Sequence, residues 1–147
     1  MPPIVSTIDI ARPPEEVFAY ATDPARFREW QNDVVSVEVE DGQPLSVGCR
    51  FTTIRRVGGI ERTMTQQITA VEAPRIWAAR GIDGPIRPHA AITVEPLDGG
   101  ARSHVTFTLD FDGHGVGVPI LPVVRRQTQR QSPISYRNLK KRLETGE

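Results

Sequence analysis

The sequence predicts an α+β fold in which a curved antiparallel sheet of about seven strands wraps around one long C-terminal helix. Apolar and polar residues alternate along several short segments, and turn-forming pairs such as Gly99-Gly100 separate those segments. A helical pattern then occupies the end of the chain. Short connections favour antiparallel neighbours. The final helix is the only long element available to cover one face of such a sheet.

The start of the chain predicts one strand followed by two short helices. Residues 3–11 place four side chains on one side of a strand, namely Ile4, Ser6, Ile8 and Ile10. Pro13 and Pro14 suit the first turn of a helix, which should stop near Thr22 because the residue before Pro24 resists helical angles. Asp23 then caps a second short helix that runs to about Trp30.

Six further strands are predicted from alternation with a period of two, at residues 33–39, 47–57, 60–71, 75–81, 86–96 and 103–111. The clearest of them places on one face Val105, Phe107, Leu109 and Phe111. Turns are predicted at residues 41–44, 58–59 and 97–101 because these stretches are rich in glycine, proline and aspartate.

The closing helix is predicted from about Val118 to Leu143, with an unusual middle. Residues 125–131 are polar on all faces, and Pro133 follows. Proline inside a helix removes a backbone donor, so the sequence predicts a kink, or a restart with Ser132 as the cap. Some polar side chains must then face the sheet, and the candidates are Thr128, Gln131 and Ser135.

Composition narrows the classes of function. The 147 residues suit one domain over residues 1–147, and eighteen basic residues balance eighteen acidic ones, which argues against nucleic acid as a partner. Cys49 is the single cysteine, and the start of the chain lacks a signal-peptide pattern, so a cytoplasmic location is expected. No apolar run is long enough to insert stably in a membrane. An exposed edge strand leaves a monomer or a homodimer open.

The sequence contains no motif for covalent or metal chemistry. It has no Gly-x-Ser-x-Gly elbow, no phosphate loop and no Cys-x-x-Cys pair, and Cys49 is expected in the core. The three histidines, His89, His104 and His114, lack the spacing of a helical metal site. We therefore expect no metal and no cofactor, and any catalysis should depend on positioning and proton transfer.

Segments spread along the whole chain resemble one superfamily. They include residues 8–20 (IDIARPPEEVFAY), 23–30 (DPARFREW), 47–51 (VGCRF), 71–75 (VEAPR), 94–100 (VEPLDGG) and 138–144 (NLKKRLE). Their order and spacing resemble the START-like helix-grip proteins (SRPBCC), which include the plant pollen allergens, and within them the polyketide cyclase/dehydrase branch. The resemblance implies a helix-grip fold with a cavity between the sheet and the long helix.

Three functions are implied by that resemblance. The first is the binding or carriage of an apolar or aromatic small molecule, lipid-like or polyketide-like, in the cavity. The second is a polyketide cyclase or dehydratase that uses non-covalent acid–base catalysis. The third is a co-chaperone-like interaction module, in which an exposed apolar patch replaces the cavity. A shared fold does not decide among them.

Strand patterns predict which side chains line the cavity: Phe51, Arg55, Arg62, Met64, Gln66, Trp77, Ile92, Phe107 and Gln131. Arg62 and Gln66 fall on a mostly apolar face, where burial without partners is costly, so they are candidates for orienting a ligand. A bulge that turns both to water is the alternative. Arg55 either pairs with a ligand oxygen or lies at the surface. The side chains of Trp30 and Trp77 could each belong to the packed core or line the cavity. Tyr136 is the candidate that readily exchanges a proton, but the sequence does not decide whether it lies on the inner or the outer face of the helix.

Overall fold

The computed structural model describes residues 3–40, 46–57 and 59–146. Its regular elements, in chain order, are β1 Ile4–Ile10, α1 Pro14–Ala21, α2 Phe27–Trp30, β2 Val34–Val39, β3 Arg50–Val57, β4 Ile60–Glu72, β5 Ile76–Asp83, β6 Ile86–Leu97, β7 Arg102–Gly113 and α3 Leu121–Thr145. Short 3₁₀ turns occupy Pro24–Arg26, Asp98–Gly100 and Gly115–Ile120. Asp23 accepts a hydrogen bond from Ala25 N at 3.1 Å, so it caps the first of these turns.

The seven strands form one antiparallel sheet in the order β1-β7-β6-β5-β4-β3-β2. The strand that begins the chain therefore pairs with the strand that precedes α3, with Ile4 opposite Leu109 and Ile10 opposite Ser103. Register shifts in β2 and β4 mark bulges, which bend strands and help the sheet to curl. The predicted helix-grip architecture is confirmed.

An aromatic cluster forms the core between the inner face of the sheet, α2 and α3. Its members are Phe27, Trp30, Phe51, Trp77, Phe107 and Tyr136. Phe107 on β7 and Tyr136 on α3 stack with ring centroids 3.8 Å apart and planes 10° apart. Phe27 meets the rings of Phe51 and Trp77 edge-on. Such ring contacts add to the free energy of simple burial and fix how the helix lies on the sheet.

The start of β3 differs from the prediction. The strand begins at Arg50 and not at residue 47, because Gly48 adopts a φ of 91°, which interrupts extended backbone. Cys49 is half-buried at this corner, so its expected place in the core is only partly reached. The predicted turn at residues 41–44 and Gly58 of the predicted hairpin lie outside the described residues.

The predicted restart of the last helix is wrong. α3 begins at Leu121, after the 3₁₀ turn of Gly115–Ile120, and continues through Pro133 to Thr145. Ser132 is buried inside the helix and caps nothing, whereas Pro133 and Gln129 are exposed. Because both residues are exposed, solvent reaches this side of the helix and offsets part of the bond that the Gln129 carbonyl loses at Pro133.

The two halves of α3 are attached to the sheet by different means. The C-terminal half buries Tyr136 and Leu139 in the aromatic core, and Lys140 Nζ donates to Asp9 O at 2.6 Å. The N-terminal half buries one apolar side chain, Val124, in a separate small cluster with Met64 and Ile86. The N-terminal half therefore makes few apolar contacts with the sheet.

Polar contacts hold this N-terminal half in place. Arg125 Nη1 lies 3.0 Å from Asp110 Oδ1 on β7. Gln131 Oε1 accepts from Asn32 Nδ2 at 2.8 Å, and Gln127 Nε2 donates to the carbonyl oxygen of Arg56. Each bond spans from the helix to a different part of the sheet or its connections. The space beneath these bridges is the cavity described below.

Pro133 should lower the stability of the fold, and replacing it with alanine should raise it. Pro133→Ala returns a helical donor for the Gln129 carbonyl, so the free energy of unfolding should rise by about 1–3 kcal/mol. Chemical denaturation measures the change. Pro122→Ala is the matched control, because proline in the first turn removes no helical bond and its replacement should change little. An equal effect of the two substitutions would contradict this account of α3.

Candidate functional site

A cavity of about 110 Å³ lies between the inner face of the sheet and α3, and it is partly open to solvent. Its apolar wall is formed by Phe27, Trp30, Met64, Trp77, Ile92, Phe107, Leu109, Phe111 and Val124. Its polar groups come from Gln31, Asp33, Arg55, Gln66, Gln127, Thr128, Gln131, Ser132, Ser135 and Tyr136. Apolar walls with a few polar groups are typical of small-molecule sites.

The enclosed volume is small beside the roughly 300–1,000 Å³ of sites that hold drug-sized ligands. The closed part therefore suits a compact apolar group, such as a small ring system. A longer ligand has to extend past the rim or displace the N-terminal half of α3, which is held largely by polar contacts. Size thus limits which part of a ligand the cavity encloses.

The structure brings together most of the side chains that the sequence predicts to line the cavity. Seven of them line the cavity, namely Arg55, Met64, Gln66, Trp77, Ile92, Phe107 and Gln131. Phe51 lies behind the wall, with its ring 6.2 Å from that of Trp77. Arg62 is not on the cavity wall and lines a separate recess. Contact of any of them with a ligand stays a prediction.

Gln66 is the most deeply buried amide on the wall. Its side chain is 4% exposed, and β4 sets it opposite Phe51 of β3, between the inward-facing Met64 and Ile68. The amide lines the cavity, where a ligand can reach it. The amide offers two donors and one acceptor to whatever fills the cavity.

Arg55 and Asp33 form an ion pair on the wall. Arg55 Nη1 lies 3.2 Å from Asp33 Oδ1, and the two side chains are only 18% and 21% exposed. The surface position considered for Arg55 is therefore not observed. Asp33 comes from the connection between α2 and β2, which the strand pattern gave no reason to single out. Partial burial makes the pair sensitive to loss of either member.

Tyr136 lies inside the fold, and the alternative of an outer position is wrong. Desolvation by burial raises the pKa of its hydroxyl to about 12, and this outweighs the opposing effects of the Ser132 hydroxyl and of Arg55. The phenol is therefore protonated near neutral pH and acts as a hydrogen-bond donor. The predicted roof residues Thr128, Gln131 and Ser135 line the cavity beside it.

Two indole donors in the wall have no acceptor. Trp30 Nε1 and Trp77 Nε1 are both buried, and neither has a hydrogen-bond partner within the part of the chain that the structure describes. Each such group costs about 1–3 kcal/mol. The sequence could place both rings in the interior but carried no signal that their donors would be unpaired.

The histidines lie away from the cavity. His89 Nε2 is 2.6 Å from Asp112 Oδ2, and His104 Nδ1 is 2.6 Å from Asp9 Oδ1, both pairs being largely exposed. Among residues 3–40, 46–57 and 59–146, no group of three or more His, Cys, Asp or Glu side chains is placed to hold a metal ion. No helix in the same ranges is long and apolar enough to cross a membrane.

Comparison with known families identifies the family of this chain. A family model described as polyketide cyclase/dehydrase and lipid transport matches residues 1–144. The chain therefore belongs to this family. A search of curated protein sequences finds no match.

Solved structures share the architecture. The aromatase/cyclase Zhui from Streptomyces sp. R1128 matches with a TM-score of 0.80 and 17% identity, over 98% of this chain and 96% of that one. TTHA0849 from Thermus thermophilus matches with a TM-score of 0.78 and 18% identity, over 97% of each chain. A START superfamily protein from Mycobacterium smegmatis matches at 0.76 and 12% identity, over 97% of this chain and 99% of that one.

At these identities the structural likeness establishes the fold alone. Family membership supports a role in binding a small ligand or in cyclisation. The choice between those roles depends on the chemistry of this chain's own cavity.

Tyr136 should titrate near pH 12. In a Tyr20→Phe background Tyr136 is the single tyrosine, and its phenolate absorbance should appear with a midpoint of about 12. The folded pKa lies above the unfolded value of 10.0, so the stabilisation is complete below pH 10 and is lost as pH rises towards 12.

The same shift predicts a stability difference. Between pH 10 and 12, wild type should lose on the order of 2 kcal/mol more unfolding free energy than Tyr136→Phe. A midpoint near pH 10, with parallel pH profiles for the two proteins, would show that Tyr136 is not buried as described.

Proposed function

We propose that this protein binds an apolar or aromatic small molecule in the cavity between the sheet and α3. The observation that carries the proposal is the partly enclosed, ring-lined cavity with a buried amide side chain, Gln66, on its wall. A binding protein needs an enclosed cavity and a means of orienting its ligand, and both are present. Cys49 is the single cysteine of the sequence, which suits a reducing compartment, so we propose the cytoplasm as the location of this activity.

Burial of apolar surface supplies most of the binding free energy in this proposal. Trp30, Trp77 and Phe107 present ring surface on one side of the cavity, and Met64 and Val124 present aliphatic surface elsewhere. Transfer of apolar area from water contributes about 25 cal/mol per Å². A flat ring gains further from contact with aromatic neighbours.

Polar groups on the wall then orient the ligand. The Gln66 amide can donate to or accept from a ligand oxygen, and protonated Tyr136 can donate. The Asp33–Arg55 pair holds a guanidinium at the wall without a net charge. The ligand that fits these groups is an aromatic or otherwise apolar molecule with one or two oxygen functions. A protein-interaction module needs an exposed apolar patch in place of a cavity, so the cavity favours binding.

Tyr136 and Arg55 favour cyclisation as a second candidate function. Both line the cavity, and together they offer a neutral donor and a cation to an enolate-like oxygen. A neighbour of the same fold carries the description aromatase/cyclase. Incubation with a poly-β-keto substrate should then give a cyclised product, and Arg55→Gln and Tyr136→Phe should each reduce its rate. An unchanged rate in both variants would exclude this mechanism.

Filling the cavity should abolish binding. Ala90 lines the cavity from β6, and a phenyl ring there occupies the space that a ligand needs. Isothermal titration with 2-naphthol should show affinity at least about tenfold weaker for Ala90→Phe than for wild type. Thr128→Phe fills the same space from α3 and provides a second test if Ala90→Phe is unstable.

Thr106→Phe is the control, because Thr106 alternates with inward-facing Val105 and Phe107 and therefore faces outward. Its affinity for 2-naphthol should stay within about twofold of wild type. Equal affinity in all four proteins would place the ligand outside the cavity and contradict the proposal.

A further inference from the structure

A second recess adjoins the cavity at one end of the sheet. It has a volume of about 210 Å³, is open to solvent, and is lined by Glu61, Arg62, Thr63, Met64, Pro85 and Ile86. It therefore lies between the start of β4 and the start of β6. Nothing in the binding of a purely apolar molecule requires this recess.

Arg62 is the unusual side chain in the recess. It makes no ion pair and no side-chain hydrogen bond with any described residue, and its Nε is buried without an acceptor. Arg55, directly opposite it on β3, has Asp33 as a partner at 3.2 Å. A half-buried guanidinium without an acceptor forgoes strong charge-assisted bonds, and its buried N–H carries a desolvation cost.

Nearby carboxylates are engaged elsewhere. Glu61 lines the recess, but its Oε2 lies 3.4 Å from Arg56 Nη2. Asp83 precedes the turn that leads to Pro85, and its Oδ1 accepts from Gly84 N at 2.8 Å. The guanidinium of Arg62 is thus left available to a group from outside the chain.

Met64 connects the recess with the cavity, because its side chain lines both. It lies two residues beyond Arg62 on the same face of β4, and it is 3% exposed. A ligand whose ring lies against Met64 in the cavity can therefore reach Arg62 with a short substituent. The recess has room for a group of a few heavy atoms and its water.

We propose that the Arg62 recess binds an anionic oxygen group, a carboxylate or a phosphate. The planar guanidinium matches the geometry of either group and can donate two parallel hydrogen bonds to it. The anion is either the acidic end of a ligand whose apolar part occupies the cavity, which rests on the proposed function, or a small free anion. The recess thereby selects acidic ligands over neutral ones of the same shape.

A matched pair of ligands separates the two contributions. 4-Phenylbutan-1-ol and 4-phenylbutyrate share the ring and chain and differ in the terminal group, so the alcohol reports on the cavity and the ratio of affinities reports on Arg62. Isothermal titration should show wild type binding the acid at least about tenfold more tightly than the alcohol. Inorganic phosphate, titrated alone, tests the free anion as the source.

Variants assign the preference to Arg62. Arg62→Gln should bring the ratio of affinities close to one and leave the affinity for the alcohol unchanged, whereas Arg62→Lys should retain part of the preference. Arg80→Gln removes the same charge from an exposed position on β5 and should keep the wild-type ratio. The Arg62 Nε–H nuclear magnetic resonance signal, identified by its absence in Arg62→Lys, should shift when the acid or phosphate binds.

The outcomes distinguish this inference from the proposed function. A wild-type ratio in Arg62→Gln, an equal loss in Arg80→Gln, or a Nε–H signal that neither anion shifts would overturn the role of Arg62. Failure of both aromatic ligands to bind, with a Nε–H signal that still responds to phosphate, would overturn the cavity proposal and leave Arg62 as a site for free anions. Removal of an unpaired charge should also leave the unfolding temperature of Arg62→Gln unchanged or raised.

Discussion

The stacking of Tyr136 on Phe107 is the contact on which the rest of the arrangement depends. It joins the last helix to the strand that precedes it, with ring centroids 3.8 Å apart. Leu139 extends the same contact into the core. A seven-stranded sheet offers more inner surface than one helix can cover, so the position of this anchor decides where the uncovered surface lies. Because the anchor is in the C-terminal half of α3, the uncovered part lies beneath the N-terminal half.

That geometry accounts for the unusual sequence of α3. The N-terminal half spans open space, so apolar side chains beyond Val124 would have little to pack against, and polar side chains instead reach to Asp110, Arg56 and Asn32. The same half can tolerate Pro133 at its end, where Gln129 and Pro133 are exposed to water. The position of the Tyr136–Phe107 contact therefore leaves a cavity with aromatic side chains on the sheet side and polar side chains on the α3 side. Arg62 lies just outside it, where a ligand's charged end could emerge.

Prediction from sequence was successful where burial repeats with a fixed period. Alternation placed Met64, Gln66 and Phe107 on the inner face, and all three side chains are buried there. It was unsuccessful where long-range geometry decides. The Asp33–Arg55 pair joins a connecting segment to a strand 22 residues later, and nothing local marks Asp33. Tyr136 follows a stretch of helix that is polar on every face, so the sequence pattern does not show which side of the helix faces the sheet. Its inward orientation is set by the contact with Phe107, which is distant in sequence. Arg62 shares a face of β4 with Met64, but it lines the adjoining recess and not the cavity.

The central claim is that a ligand lies between the sheet and α3, in contact with both. Intermolecular nuclear Overhauser effects from bound 2-naphthol test it most directly, with methyl-labelled protein as the partner. The account predicts effects to the Met64 methyl on β4 and to the Val124 methyls on α3 in the same complex, because both side chains line the cavity. Effects confined to exposed side chains such as Val5 or Val116, with none to Met64 and Val124, would contradict it.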